Sequence, residues 1–167
     1  MANIQDVRTV NNPQRAFEFE VEIVANTVIG NIPILTQRVE TVSIPEKTLE
    51  VIEINYKGRK TFHAGRDASA HTVIVSFWDD EDQTVYNFFN NWIENINNSE
   101  VGGGLTRDLY AADMNIRRFA HNSETVVALN RLTKVFPTSI GDIQLSYETS
   151  EHMKVEVTFS YDSNILV

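Results

Sequence analysis

Cysteine is absent from all 167 residues, which excludes disulfide staples, thiolate zinc sites and cysteine nucleophiles. Positive charge is scarce: 14 Lys and Arg stand against 23 Asp and Glu, a formal net charge of −9. A protein that grips a nucleic-acid backbone needs clustered cations, so this balance argues against that class. It leaves room for a protein that sits beside nucleic acid without holding it, because like charges repel, and simple solubility would produce the same balance. No apolar run approaches membrane-spanning length, so no membrane insertion is expected. The start, "MANIQDVRTVNNPQRA", lacks a basic segment followed by an apolar one, so the chain is expected to be made and folded in the cytoplasm. Internal repeats and low-complexity segments are missing too.

Recognisable chemistry is equally sparse. His63, His71, His121 and His152 are scattered, with no partner at a metal-ligand or triad spacing. "DDED" (Asp79–Asp82) lacks the alternating ligand spacing of a calcium loop, and helix-end electrostatics explains it better. "GGG" (Gly102–Gly104) follows a helix and precedes a strand, the reverse of a phosphate cradle, and reads as a flexible connector. No nucleophile elbow, Walker loop or dinucleotide fingerprint occurs. Neither an enzyme nor a cofactor-binding protein is indicated.

What is present is strand pattern. The first fifteen residues read as a polar arm that orders only against something else, and residues 16–167 as one domain. "AFEFEVEIV" (Ala16–Val24) alternates, with Phe17, Phe19, Val21 and Ile23 on one parity and Glu18, Glu20 and Glu22 on the other. "VIGNIPI" carries a Gly-Asn turn signal, followed by a strand over Leu35–Ile44 and another over Leu49–Tyr56 that leads into a turn at Gly58. His71–Trp78 is β-rich, with Val73, Val75 and Phe77 on one face. In "QTVYNFFNNWIENIN", Val85, Phe88, Phe89, Trp92, Ile93 and Ile96 recur at helical spacing. "DDED" supplies the N-cap of this helix, and Asn with three glycines ends it. Further strands are expected over about Asp113–Phe119, Val126–Phe136, Ile143–Tyr147 and Lys154–Tyr161, the last two joined by "ETSEHM". About seven strands and one flanking helix make a mainly β (α+β) chain, a barrel or sandwich capped by that helix.

Two surface patterns stand out. Glutamates recur on the polar faces of strands, at Glu18, Glu20, Glu22, Glu50, Glu53 and Glu156, a pattern that fits a solvated sheet face or the wall of a channel built by several subunits. "YKGRK", with Tyr56, Lys57, Arg59 and Lys60, is the densest basic patch; it fits a solvated hairpin tip or a contact with an acidic partner.

The segment "VFPTSIGDIQLSYETSEHMKVEVTFSYD" resembles the C-terminal end of the tail tube proteins of contractile-tail bacteriophages. Phe136, Pro137, Thr138 and Gly141, the following "IQLSY" and the closing "VEVTFSYD" carry the resemblance. Pro137 is expected to break the preceding strand, and Gly141 to permit a sharp turn. A looser likeness runs from Phe17 to Asp162. The resemblance implies a β-barrel with a flanking helix, joined into six-membered rings that stack into a hollow tube inside a contractile sheath. The genome would pass through that tube from the virion into the host. Sheath, baseplate and tape-measure proteins are the implied partners, alongside other copies of the chain and double-stranded DNA that passes without being bound. Hcp rings of type VI secretion and tailocin tubes share that fold and form the alternative. Under this resemblance the glutamate faces become candidates for an acidic lumen. The basic patch, with the long hairpin around Ile44–Gly65, becomes a candidate for ring stacking.

Overall fold

The computed structural model describes residues 14–24, 34–98, 100, 102–121, 123–143, 148 and 152–167. Most of the N-terminal arm, the Gly-Asn turn, most of the Ile143–Tyr147 segment and part of the "ETSEHM" loop lie outside the described residues. Nine strands are described: β1 (Phe19–Val24), β2 (Val39–Val42), β3 (Leu49–Tyr56), β4 (Arg59–Asp67), β5 (Thr72–Trp78), β6 (Ala112–Phe119), β7 (Val126–Ile140), β8 (Lys154–Ser160) and β9 (Ser163–Leu166). Three helices accompany them: α1 (Ile34–Gln37), α2 (Thr84–Ile96) and α3 (Arg107–Tyr110).

Seven of the strands form one curved sheet in the order β1-β6-β7-β8-β5-β2, with β9 also paired to β7. The fifteen-residue β7 makes this possible by changing partners midway. Its first part pairs with β6 and β9, and its last part with β8. The changeover is a bulge at Lys134, whose φ of 53° is left-handed and whose N–H is taken by the Asp113 carboxylate at 3.3 Å. Inward residues then switch parity from Asn130 and Leu132 to Val135 and Pro137, which bends the strand around the core. Two four-stranded halves result, β1-β6-β7-β9 and β7-β8-β5-β2, facing each other across one core.

The expected alternation fills that core. Val73, Val75 and Phe77 from β5 and Val155, Val157 and Phe159 from β8 are buried, as are Val21, Met114, Ile116 and Leu132. Helix α2 lays Val85, Phe89 and Trp92 onto it, with Phe89 ring centroids 5.1 Å from Phe77 and 5.6 Å from Phe159. Phe88, Ile93 and Ile96 flank this stripe, half-buried. The Trp92 indole N–H donates to the Tyr110 carbonyl at 2.9 Å and ties α3 to α2.

Several expectations need correction. Leu35–Ile44 is not one strand: one turn of helix, α1, precedes a four-residue β2. The turn, closed by Arg38 N–H on the Leu35 carbonyl at 3.1 Å, lets Leu35 enter the core. It also aims Arg38 at Asp80, 2.6 Å away. Pro137 does not break β7, which continues to Ile140. It sits where the register with β8 shifts, so its missing N–H costs no ladder bond there. Gly141 directly follows the last residue of β7. Its N–H donates to the Glu156 carbonyl at 2.7 Å, and a Cβ would lie 3.3 Å from that oxygen, so close approach selects glycine.

The "DDED" cap works from further upstream than a simple N-cap. Asp79 accepts the N–H groups of Val85 and Tyr86 at 2.9 and 3.0 Å, and Asp80 accepts that of Thr84 at 2.9 Å. Gln83 occupies the cap position without a side-chain bond. Gly102–Gly104 is no loose connector either. The loop folds back on the end of α2, with Asn98 N–H on the Gly103 carbonyl at 2.9 Å and Leu105 N–H on the Asn95 carbonyl at 3.1 Å. A Cβ on Gly104 would stand 1.8 Å from the Ile96 carbonyl oxygen. Finally, Ser163–Leu166 forms β9, a strand the pattern gave no reason to expect.

Candidate assembly and channel surfaces

Three surfaces remain once the core is closed. The first is the outer face of β1-β6-β7-β9. Because Val21, Met114, Ile116 and Leu132 point inward, their neighbours Glu20, Glu22, Asp113, Asn115, Arg117 and Arg131 point out. The register sets Glu20 opposite Arg117 and Glu22 opposite Asn115. The glutamates are therefore not a bare anionic row. Arg117 reaches Glu20 at 3.1 Å and Glu22 at 2.5 Å, and Asn115 donates to Glu22 at 3.2 Å. Glu18 pairs with His121 at 2.9 Å, and Asp113 with Arg131 at 3.0 Å. Partial burial pulls the Arg117 pKa down, but the two carboxylates outweigh it and hold the guanidinium above its usual range.

The face is thus carboxylate-rich, with each of its arginines engaged. Arg117 and Arg131 are the residues of this face that pattern reading missed. Their alternate placement on β6 and β7 was visible, but their carboxylate partners depend on register, which one sequence does not show.

The second surface is the β3–β4 hairpin, whose strands pair only with each other among the described residues. Its two-residue turn, Lys57–Gly58, has φ of 47° and 75°, the mirror-image turn geometry that matches strand twist. One face carries Leu49, Val51 and Phe62, and the other Ile52, Ile54 and Tyr56, all exposed; Val51 is 64% and Phe62 61% accessible. An isolated two-stranded ribbon is marginal in water, and six uncovered large apolar side chains mark it as an interaction element.

Glu50 and Glu53 lie on opposite faces of this ribbon, so they do not share a face with each other. Glu53 pairs with Lys60 at 2.8 Å, and Asn55 donates to it at 3.1 Å. Glu156 is exposed on the outer face of the other half-sheet, opposite Ser76. Tyr56, Lys57, Arg59 and Lys60 do gather at the hairpin tip, with the Lys57 ammonium 5.2 Å from the Tyr56 ring centroid.

The third surface is the pair of sheet edges. In β1-β6-β7-β9 every neighbouring pair is antiparallel, so the end strands β1 and β9, each with one strand partner among the described residues, run in opposite directions. The C-terminal motif residues lie away from these edges, where β7 meets β8. Phe136 packs its ring 5.5 Å from Tyr110, Pro137 is buried, and the Thr138 hydroxyl donates to the Thr158 carbonyl at 3.0 Å. Among the described residues no group of His, Asp and Glu is arranged to hold a metal ion.

Residues 14–166 match the model of the family described as phage tail tube protein. Two curated relatives, each named tail tube protein gp19, come from Enterobacteria phage T6 and Enterobacteria phage T4. Each is 26% identical over 165 residues, covering 92% of this chain and 97% of the relative. Among solved structures, the PVC sheath/tube terminator of an extracellular contractile injection system has a TM-score of 0.71 at 16% identity, covering 95% of this chain and 99% of that one. The anti-feeding prophage cap also scores 0.71, at 15% identity over 100% and 99%. Hcp1 from Flavobacterium johnsoniae scores 0.50 at 8% identity over 90% and 94%. At these identities the structural likenesses are likenesses of fold. The sequence match spans nearly the whole described chain, and with it this protein belongs to the phage tail tube protein family, a family of structural proteins rather than enzymes.

Proposed function

We propose that six copies of this chain close into a ring and that the rings stack into the inner tube of a contractile phage tail, a conduit for double-stranded DNA. The observation that carries this reading is the four-stranded half-sheet whose end strands, β1 and β9, run in opposite directions and are open on their outer sides among the described residues. Around a rotation axis, β9 of one copy meets β1 of the next antiparallel, so the same pairing repeats at every junction. Each junction satisfies the row of N–H and C=O groups that a lone copy leaves open.

Size supports the same reading. Six four-stranded sheets at about 4.8 Å per strand give a circumference of roughly 115 Å and a backbone diameter near 37 Å. Allowing about 5 Å for side chains on each side, half the usual spacing between packed sheets, leaves a bore of roughly 27 Å, wide enough for a duplex. The outer face of the half-sheet would line that bore. Its arginines are held by Glu20, Glu22 and Asp113, so phosphates would find no free cation to release counterions against. DNA then slides rather than sticks.

Curated kin from two phages favour a phage tail over a secretion-system tube. Sheath, baseplate and tape-measure proteins are the partners that fit this place in the virion, with assembly in the host cytoplasm. Negative-stain microscopy of the purified chain tests the reading: six-fold rings or hollow tubes are expected. Compact single particles at every concentration would overturn it.

A further inference from the structure

We infer that the cavity at the root of the β3–β4 hairpin is the receptor for the hairpin tip of a second copy, so that one element carries both halves of the stacking contact. This rests on the stacked assembly proposed above and names the surface that the tip meets. The cavity, about 430 Å³, lies where the β2–β3 and β4–β5 connections meet the turn before β9. Glu46, Asp67 and Asp162 line it, with Lys47, His71 and Tyr161.

Three carboxylates line it against one lysine. Asp67 accepts the Ser69 hydroxyl and N–H at 2.5 and 2.9 Å, and these bonds, with His71 and Lys47 nearby, hold its carboxyl below the usual range. Burial raises the Tyr161 pKa, and the charges of Asp67 and Glu46 push the same way. Asp162 is engaged by Arg107. His71 lies 3.7 Å from the Asp67 carboxylate, and Lys47 supplies the one lysine in the lining.

The tip has the opposite character. Lys60 is committed to Glu53, but Lys57 and Arg59 make no ion pair among the described residues. Tyr56, 68% exposed, stands beside them. A pocket offering carboxylates and a buried phenol rim fits a basic tip that carries an aromatic ring.

The tip cannot reach its own root. β3 has eight residues, so the two ends of the ribbon are held about 26 Å apart. The tip must therefore seat on another copy. A contact whose two halves lie at opposite ends of one element is head-to-tail and can repeat from copy to copy without using itself up.

The absence of cysteine gives a clean test. Lys57→Cys chains and Lys47→Cys chains, both altered at exposed positions, are mixed, assembled and oxidised. A covalent mixed dimer is expected, absent from either variant alone, and chains carrying both changes should give a ladder of multimers. Should Cys at position 57 prevent assembly, Asn55→Cys with Thr48→Cys asks the same question. Tubes visible in micrographs without the mixed dimer would overturn this inference and leave the tube reading standing; such tubes would seat the tip elsewhere. Failure of the unmodified chain to form rings or tubes would overturn both.

Discussion

Asp79 shows how a single buried carboxylate can organise an element it does not belong to. Its side chain is fully buried, and it takes two N–H groups of the first turn of α2 from six and seven residues upstream. Arg38 lies 3.7 Å from it and 2.6 Å from Asp80, which joins the α1 turn to the start of α2. Asp79→Ala would leave both N–H groups without a partner, and a loss of about 2 kcal/mol is expected in urea unfolding. Asp80 gives a pH signature. The Arg38 hydrogen bond, followed by the Thr84 N–H, holds its carboxyl well below the usual 3.8. A group depressed in the folded state stabilises fully above its unfolded pKa, and that contribution fades as pH falls toward the folded value. The melting temperature of the native chain should therefore fall more steeply below roughly pH 4 than that of Asp80→Asn. Parallel slopes for the two chains would contradict this.

In the proposed assembly, the hairpin and the half-sheet are the elements on which function turns. Val51 and Phe62 lie on the same face of the β3–β4 ribbon and are exposed in a single copy. Replacing both with Asp should change the melting temperature of the unassembled chain little, because exposed substitutions typically cost within about 0.5 kcal/mol. If the ribbon is covered on assembly, burying two such side chains contributes about 1.5–3 kcal/mol each. The concentration needed for assembly, read by light scattering, should then rise tenfold or more. On the half-sheet, Glu20→Gln with Glu22→Gln would release Arg117. Virions carrying that pair should eject DNA more slowly, and more so at low salt, because a freed cation in the bore attracts phosphate. An unchanged ejection rate would argue that this face does not line the path.

At the scale of the whole molecule, the net charge of −9 sits on a chain in which Arg38, Lys60, Arg107, Arg117, Arg131, Lys134 and Lys154 pair with carboxylates, while Lys57 and Arg59 at the hairpin tip make no ion pair among the described residues. Arg59→Glu with Lys60→Glu should leave a folded monomer that does not grow tubes, seen by circular dichroism and microscopy together. Undiminished polymerisation would refute a stacking role for the tip. Much of the architecture was legible residue by residue. Val73, Val75 and Phe77, and Val155, Val157 and Phe159, alternate because each strand has one wet and one dry face. The stripe from Val85 to Ile96 announced α2 for the same reason at another period. Less was legible where a residue answers to something distant. Arg38 turns toward Asp80, 42 residues on, and Lys134 adopts a left-handed bulge so that β7 can serve two half-sheets.

The sequence by itself determined the class of this protein. Alternating strands and one helical stripe made it a mainly β chain with a flanking helix, and its C-terminal motif resembled the tail tube family. Tertiary structure decided which glutamates stand beside an arginine, which strands become edges, and that both faces of the hairpin stay uncovered. The reason is physical. Burial period is written into neighbouring residues, whereas register, edges and charge pairing arise only when segments a hundred residues apart are brought side by side.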